Sequence, residues 1–299
     1  MLDFRWIVFR SVAKHLSFTK AAGELFITQP AATKRIQELE AEVGLRLFLR
    51  KGNRIQLTPA GETLLSFADR SHALQEEMQF ALGKLKNQVG GHLRLGASTT
   101  IAQYVLAPVL SKFYQRHPQV QLSLANGNTE AIEQALLLQH IDLGIVEGSS
   151  HRRELQYTPF LPDELLPVVR AGHPLARKGT ITFQELVQQP LVLRERGSGT
   201  LEVIEEALRP HYLRLPDLNV VLYLGSSETI KSFLQHSDCV ALLSAHAIQL
   251  EVEAGKLAVL PPQDFHLART FWFVQLLGQQ EGLAQLFQRF AQRQYNLPE

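Results

Sequence analysis

The sequence predicts an α+β chain in three parts: an all-α N-terminal region, one long helix, and an α/β region that fills the rest. Three observations support this division. Apolar residues recur at helical spacing up to Gly90-Gly91, which interrupt the pattern. From His92 onward, short apolar runs alternate with helical stretches. With 299 residues, the chain is long enough for two or three domains, each with its own core.

Two short helices are predicted before the first polar, basic helix. The first spans residues 1–16, with an apolar face formed by Phe4, Ile7, Val8 and Val12. The second begins after Ser17, whose hydroxyl can accept a hydrogen bond from a free N–H of the first turn. Phe26 and Ile27 follow this helix, and they are predicted to form a buried corner.

The third helix combines an apolar face with a polar, basic face. Thr28 or Gln29 can cap it, and Pro30 suits its first turn because proline has no N–H to leave unpaired. Three apolar residues point inward: Ala32, Ile36 and Leu39. The outward residues are Gln29, Ala31, Thr33, Lys34 and Arg35. This arrangement is typical of a helix-turn-helix, although an ordinary helical hairpin with a solvated charged face would look the same.

A basic turn next to this helix favours the helix-turn-helix. Two short arms meet at Lys51-Gly52-Asn53, and Arg50 and Arg54 flank the turn. A basic wing beside a basic helix is typical of phosphate contacts on both sides of a DNA groove. Residues 1–61 carry a net charge of +5 and residues 62–299 carry −4, which places the anion-binding surface at the N-terminus.

A long helix is predicted from Pro59 to about Val89, with Gly90-Gly91 as its end and a hinge. Its apolar positions alternate steps of three and four residues, which forms a seam of about three heptads. The members of this seam are Leu64, Phe67, Ser71, Leu74, Met78, Ala81 and Leu85. Such a seam is typical of a helix that pairs with a second chain, although a lone surface helix would carry the same residues on a wider stripe.

The remaining sequence predicts parallel strands alternating with helices on both faces of a sheet. Leu155–Phe160 and Glu164–Arg170 are predicted as two separate strands. Four strand ends carry small polar residues that lead into helices: Ser98-Thr99-Thr100, Asn126-Gly127-Asn128-Thr129, Ser198-Gly199-Thr200 and Gly225-Ser226-Ser227. Ligands bind at such strand ends, and hydroxyls beside free helix N–H groups favour a small anion. Alternatively, each residue only caps its own helix. Glu147, at another strand end, would repel an anion or select a ligand amine.

Composition argues against several other classes of protein. There is no run of eighteen apolar residues and no secretory signal pattern, so we expect a cytoplasmic protein without a membrane span. Cys239 is the single cysteine; it cannot form an intramolecular disulfide and is predicted to be buried. HExxH, GxSxG and P-loop patterns are absent and the eleven histidines are scattered, so neither an enzyme nor a metal or cofactor is expected.

The runs SFTKAAGELFITQPAATKRIQELE and LFLRKGNRIQLTPAG resemble the winged helix-turn-helix of LysR-type transcriptional regulators. The resemblance is close over about the first sixty residues and looser over the rest. It implies a DNA-binding domain at residues 1–58, a linker and dimerisation helix with a hinge at 59–91, and an effector-binding domain at 92–299. That last domain is expected to be a two-lobed α/β fold like that of periplasmic binding proteins. Its lobe I would comprise about 92–162 and 264–299, and its lobe II about 163–263.

The resemblance also implies function: a regulator that binds double-stranded promoter DNA, responds to a small-molecule effector and self-associates as a dimer or tetramer. The expected DNA-binding residues are Thr28, Gln29, Pro30, Ala31, Thr33, Lys34, Arg35, Arg50, Lys51 and Arg54. The expected effector-binding residues are Ser98, Thr99, Thr100, Asn128, Glu147, Ser198, Thr200 and Ser226. RERGSGT and ASTT resemble the sulfur-metabolism branch of the family, which implies a sulfur oxyanion or related metabolite. The remaining alternative is a free-standing small-molecule binding protein.

Overall fold

The structure is a computed structural model that describes residues 3–51, 54–85, 90–149, 151–278 and 282–295. The chain forms two compact units, Met1–Gln88 and Val89–Glu299. None of the described helices has the length and apolar character needed to cross a membrane.

The described residues of the first unit form four helices and a two-stranded wing. The helices are α1 (Phe4–His15), α2 (Phe18–Glu24), α3 (Gln29–Val43) and α4 (Pro59–Leu85). The strands β1 (Phe48–Lys51) and β2 (Arg54–Leu57) pair in antiparallel fashion, so the predicted arms of the wing are confirmed. Gly52 and Asn53 of the predicted turn lie outside the described residues, as do residues 86–89, which include the predicted end of the long helix.

Side-chain caps define where the first three helices begin. The Asp3 carboxylate accepts a hydrogen bond from the backbone N–H of Arg5 at 2.9 Å. Hydrogen bonds from the Arg5 side chain and backbone lower the pKa of Asp3 to about 2. Ser17 caps α2, as predicted, and Thr28 rather than Gln29 caps α3 by accepting the N–H of Ala31 at 3.3 Å. Pro30 occupies the first turn of α3, which confirms its predicted position.

Small residues bring α2 and α3 close together around a common core. The buried core residues are Val8, Phe9, Val12, Ala21, Ala22, Ala32, Ile36, Leu39, Leu47 and Ala68. The inward face predicted for α3 is therefore confirmed. The predicted buried corner is wrong for Phe26, which is 96% exposed, whereas Ile27 packs against the core. The chain turns through a left-handed residue at Phe26 (φ +54°), and this turn directs Ile27 inward and Phe26 outward.

Where the structure describes it, the second unit is built on one nine-stranded mixed sheet. Its strands are β3 (Gly91–Ser98), β4 (Val120–Gly127), β5 (Leu143–Glu147), β6 (Leu155–Arg170), β7 (Leu191–Arg194), β8 (Val220–Leu224), β9 (Val240–Ser244), β10 (Leu257–Val259) and β11 (Ala268–Leu276). The strand order is β4-β3-β5-β11-β6-β9-β7-β8, and β10 pairs with β6. The pairs β3–β4, β3–β5, β7–β8 and β7–β9 are parallel, in line with the predicted α/β pattern.

Helices cover the sheet and follow the strand ends. They are α5 (Thr99–Tyr104), α6 (Leu106–Arg116), α7 (Thr129–Leu137), α8 (Pro174–Lys178), α9 (Phe183–Val187), α10 (Gly199–Leu208), α11 (Ser227–Leu234), α12 (Ala245–Glu253) and α13 (Leu283–Gln294). Two short 3₁₀ turns, Arg209–His211 and Leu215–Asp217, follow α10.

Two long strands join two lobes within this unit. Residues 155–170 form the single strand β6, so the prediction of two separate strands is wrong. β11 pairs with β6 along its whole length. In lobe I β11 also pairs with β5, and in lobe II β6 also pairs with β9. Lobe I has its main core around Phe113, Phe271 and Phe287, whereas the main core of lobe II falls between Leu165 and Leu267. Cys239 is buried in a second cluster of lobe II, as predicted.

Candidate nucleic-acid interface and effector site

The outward face of α3 presents polar and basic side chains from its N-terminal half. Thr28, Gln29, Pro30, Lys34 and Arg35 are exposed, and Ala31 and Thr33 are half-buried. The residues expected from sequence to point outward on α3 thus share one accessible surface, which we call the α3 face.

Local contacts hold part of this face in place. Thr33 donates its hydroxyl hydrogen to the Gln29 carbonyl at 3.0 Å, and the Gln29 amide donates to the Thr33 hydroxyl at 3.3 Å. Arg35 forms an exposed ion pair with Glu38 at 3.2 Å, a type of contact that adds little stability. Because water already solvates these groups, they can be redirected toward a partner at small cost.

The wing contributes strands but no described basic side chains. Lys51 and Arg54 face each other across the β1–β2 ladder, and Arg50 pairs with Ile55 in the same register. The side chains of Arg50, Lys51 and Arg54 lie outside the described part of the structure, so their predicted role stays a prediction.

In the second unit, the Glu147 carboxylate lies at the centre of a buried cluster between the lobes. Glu147 ends β5 and is 1% exposed. Its Oε2 accepts a hydrogen bond from Ser98 of lobe I at 3.1 Å, and its Oε1 accepts one from Thr200 of lobe II at 3.1 Å. An Arg269 nitrogen, Nη1, lies 3.3 Å from Oε1. Hydroxyl and guanidinium donors from both lobes therefore converge on one carboxylate.

Arg269 extends this cluster along the strands that join the lobes. Its Nε donates to Asp163 Oδ2 at 2.6 Å, and its Nη1 donates to the Thr200 hydroxyl at 2.9 Å. Ser244 donates to the other Asp163 oxygen at 2.7 Å. The Nη2 group of Arg269 is buried without a hydrogen-bond partner among the described residues. Glu147, Asp163 and Arg269 together carry a formal charge of −1, so the cluster as it stands opposes a further anion.

Thr100 follows Ser98 by two residues, at the start of α5. Its side chain belongs to the first turn of α5, and the residue is 1% exposed. It forms no hydrogen bond with any residue that the structure describes. Ser98 precedes α5 but makes no capping bond to the described helix, because its hydroxyl is directed at Glu147. For Ser98, the capping interpretation that the sequence left open is therefore wrong.

Capping explains the side-chain contacts of three other predicted effector residues. Asn128, Ser198 and Ser226 accept backbone N–H bonds from the first turns of α7, α10 and α11, respectively. Thr99 donates to the carbonyl of Gly127 at 3.1 Å. None of these four is bonded to the Glu147 carboxylate in the described structure.

Backbone contacts tie the lobes together close to the same cluster. Asn128 also donates to the carbonyl of Arg196 at 3.2 Å, and the backbone N–H of Glu130 donates to the carbonyl of Gly197 at 3.2 Å. A Cβ added at Gly199 would lie 2.0 Å from the Glu147 carbonyl oxygen, so α10 approaches β5 as closely as only glycine allows. The lobes are in contact through main chain as well as side chains.

A second tie between the lobes joins α5 to α11. The Tyr104 hydroxyl donates to the Glu228 carboxylate, which also pairs with Lys231 at 2.9 Å. Burial raises the pKa of Tyr104, and the hydrogen bond to Glu228 raises it further. Burial alone would raise the pKa of Glu228, but the bonds from Tyr104 and Lys231 outweigh burial and lower it. The tie therefore persists at neutral pH.

A groove of about 790 Å³ opens between the lobes beside the cluster. Its lining includes Thr129, Glu133, Arg152, Ser198 and Glu202, but not Ser98, Thr100 or Glu147. The Glu147 side chain fills the space on which the donors converge, so a ligand at these donors requires Glu147 to move. The described residues contain no group of three side chains suited to a metal ion.

Sequence reasoning missed Asp163, Ser244 and Arg269. Asp163 and Arg269 are 106 residues apart in the chain, and they meet only because β6 and β11 pair in antiparallel register. The sequence feature that could have identified Arg269 is its charge near the start of the apolar run ARTFWFVQL. Charge inside a strand that is otherwise apolar implies a buried partner.

Comparison with known proteins identifies the family. Residues 5–62 match the family described as bacterial regulatory helix-turn-helix protein, lysR family, and residues 86–296 match the family described as LysR substrate binding domain. The chain belongs to the LysR family of transcriptional regulators. It is a DNA-binding regulator with an effector-binding domain and not an enzyme, and the alternative of a free-standing binding protein has no support.

Individual LysR-family members match this chain over most of its length. The HTH-type transcriptional regulator YeiE of Escherichia coli K12 is 34% identical over 283 residues, which cover 95% of this chain and 93% of YeiE. The transcriptional activator CmpR of Synechocystis is 32% identical over 267 residues, which cover 89% of this chain and 86% of CmpR. A solved structure of the Synechocystis CcmR regulatory domain in complex with 2-PG is 31% identical, with a TM-score of 0.62; the match covers 68% of this chain and 96% of that domain.

Proposed function

We propose that this LysR-type regulator responds to a small oxyanion that takes the place of the Glu147 carboxylate between the lobes. The single observation that carries the proposal is the convergence of Ser98, Thr200 and Arg269 on that carboxylate. A set of donors that holds one carboxylate is suited in size and charge to another oxyanion. The unpartnered Nη2 of Arg269 adds a donor that Glu147 does not use.

Exchange of Glu147 for a free anion would change the coupling between the lobes. Glu147 belongs to lobe I, and its carboxylate accepts a hydrogen bond from Thr200 of lobe II. A bound anion would accept the same hydrogen bond, but it would not be attached to β5. A ligand shifts a conformational equilibrium only by its difference in affinity for the two states. Here the two states differ in how the lobes are arranged. A free anion can contact both lobes in an arrangement that the Glu147 carboxylate, which is fixed to β5, cannot reach. The relative CcmR binds 2-PG through its regulatory domain, which supports a small ligand for this domain.

For DNA, we propose that the α3 face reads base edges and that the wing residues Arg50, Lys51 and Arg54 contact phosphates. The support is the position of polar and basic residues on the N-terminal half of α3, the part that enters the major groove in helix-turn-helix proteins. We place this activity in the cytoplasm, where promoter DNA is accessible. Self-association is proposed through α4, where Phe67, Leu74, Met78 and Leu82 are exposed although all are large and apolar.

Isothermal titration calorimetry of the full chain tests the effector proposal. The titrants are sulfate, sulfite, inorganic phosphate and 2-PG, and the variants are Glu147→Ala and Glu147→Gln. We expect at least one anion to bind, and to bind Glu147→Ala more tightly than wild type, because the variant lacks the internal competitor. Glu147→Gln should also bind more tightly, since it removes one negative charge and keeps the shape. Glu154→Ala, which removes an exposed carboxylate from lobe I, should bind like wild type.

Two outcomes would contradict the proposal. If an anion binds wild type but neither Glu147 variant, Glu147 supports binding instead of competing with the anion. If no anion binds any of the folded variants, the converging donors do not form an anion site.

A further inference from the structure

Phe26 combines two features that are unfavourable for the folded unit. Its ring is almost fully exposed, although burial of a phenylalanine is among the larger stabilising contributions to a core. Its backbone lies in the left-handed region (φ +54°), where a bulky side chain is strained and asparagine or glycine is favoured. A singly exposed apolar residue is ordinary on a protein surface, and Tyr212 of the second unit also combines exposure with a left-handed backbone, so the position of Phe26 has to indicate its role.

Nothing in the described part of the first unit offsets these costs. The backbone N–H groups of Phe26 and Ile27 are bonded to the carbonyls of Gly23 and Ala22, and asparagine would make the same bonds. Ile27, not Phe26, supplies the side chain that packs against the core. Positions where local preference and fold disagree are where function is expected.

The position of Phe26 indicates which partner its ring meets. It lies two residues before Thr28, the cap of α3, and three before Gln29, on the side from which α3 begins. In helix-turn-helix proteins the N-terminal residues of the second helix contact bases, so the preceding turn lies at the rim of the major groove. Lys34 and Arg35 are exposed on the same helix, and residues 1–61 carry a net charge of +5. Because DNA is negatively charged, this positive charge favours DNA as the partner that the Phe26 ring contacts.

We propose that Phe26 is a DNA-contacting residue whose ring packs against a deoxyribose and the adjoining base edge at the rim of the groove entered by α3. This inference rests on the proposed use of the α3 face. The contact is apolar and neutralises no phosphate, so it adds affinity without adding to the salt dependence of binding. A thymine methyl group is the base-edge feature that an apolar side chain recognises.

The test compares Phe26→Asn and Phe26→Leu in the full chain, by DNA affinity at several salt concentrations and by thermal unfolding. Asparagine tolerates the left-handed backbone, so we expect the melting temperature to stay level or rise. DNA affinity should nevertheless fall roughly five- to tenfold, the loss expected when about half of a phenylalanine side chain remains in water. The slope of affinity against salt should not change. Phe26→Leu should retain part of the affinity because it keeps an apolar side chain.

Tyr212 provides a matched control in the effector-binding unit. It is also aromatic and 95% exposed, and its backbone lies in the left-handed region (φ +57°). Tyr212→Asn should therefore keep or raise the melting temperature and leave DNA affinity unchanged. Wild-type DNA affinity in Phe26→Asn would overturn the inference. A changed oligomeric state in Phe26→Asn would also overturn it, because the ring would then belong to a protein interface. Failure of the α3 proposal is recognised separately, because Gln29→Ala would then leave sequence preference unaltered.

Discussion

Serine and threonine residues at the strand ends serve two different purposes in this chain. Ser198 and Ser226 cap the helices that they precede, whereas Ser98 is turned away from α5 and bonds to Glu147. All three have the same sequence context, a small hydroxyl residue between a strand and a helix. The sequence identified Ser98, Thr200 and Glu147 as candidates, but only the position of a bonding partner on another element separates Ser98 and Thr200 from the caps.

Gln29 is the residue at which sequence readout of DNA is best tested. We predict that Gln29→Ala relaxes preference at one base pair by about 1–3 kcal/mol, because amide side chains form paired hydrogen bonds to adenine. The only described side-chain bond of Gln29 that is lost, to Thr33, is exposed and 3.3 Å long, so stability should be unaffected. Binding to a panel of singly substituted operator sequences measures the effect.

Gln37→Ala is the control for this prediction. Gln37 is exposed on the same helix but lies two turns further along, away from the end that enters the groove. Its replacement should leave the preference intact. An equal loss of affinity for every sequence in Gln29→Ala would assign Gln29 to the DNA backbone instead.

Among the helices and strands, α10 and β5 make the close backbone approach between the lobes. Sequence analysis predicted the parallel pattern of strands and helices in this unit. It divided β6 into Leu155–Phe160 and Glu164–Arg170, which left Pro162 and Asp163 between two strands. In the structure Pro162 pairs with Thr270 and Asp163 with Arg269, next to an irregularity in the ladder at Phe271. An irregular register accommodates proline, and no local pattern in the sequence reports the register of a distant strand.

We predict that Gly199→Ala destabilises the effector-binding unit by about 1–3 kcal/mol, the usual cost of overpacking. Its Cβ would meet the Glu147 carbonyl at 2.0 Å, so α10 must move away from β5 and Thr200 must move with it. Anion binding should weaken in parallel. Denaturant unfolding and calorimetry of the full chain measure the two effects.

Gly225→Ala makes the same substitution at a neighbouring strand end. An added Cβ there meets no described atom within 4 Å, so we expect wild-type stability and binding. If Gly199→Ala behaved like Gly225→Ala, the close contact between α10 and β5 would be irrelevant to the site.

For the whole molecule, the exposed apolar residues of α4 have the clearest consequence. Phe67, Leu74 and Met78 belong to the seam predicted from sequence, and Leu74 is 64% exposed. The side chains of Ala81 and Leu85, the last two members of the seam, lie outside the described part. The spacing of the seam could be predicted from sequence because a heptad pattern is local. The number of chains that the seam joins cannot be predicted in this way.

We predict that Leu74→Glu lowers the oligomeric state of the protein, because a carboxylate in an apolar seam between helices would be desolvated. Light scattering after size-exclusion chromatography measures the mass. Ser66→Glu places the same charge at an exposed polar position on α4 and should leave the mass unchanged. An unaltered mass in Leu74→Glu would exclude this seam as the interface.

The route of the chain through the two lobes also sets an order of assembly during synthesis. Most of the sheet of lobe I is encoded before lobe II, but β11 and α13, which complete its core, are encoded after it. The main core of lobe II lies between Leu165 and Leu267, so it is complete on the growing chain while lobe I still lacks Phe271 and Phe287. Domains fold as their last core residues become available. A chain that stops before Arg269 would therefore present a finished lobe II beside an open lobe I, with Glu147 deprived of its guanidinium partner.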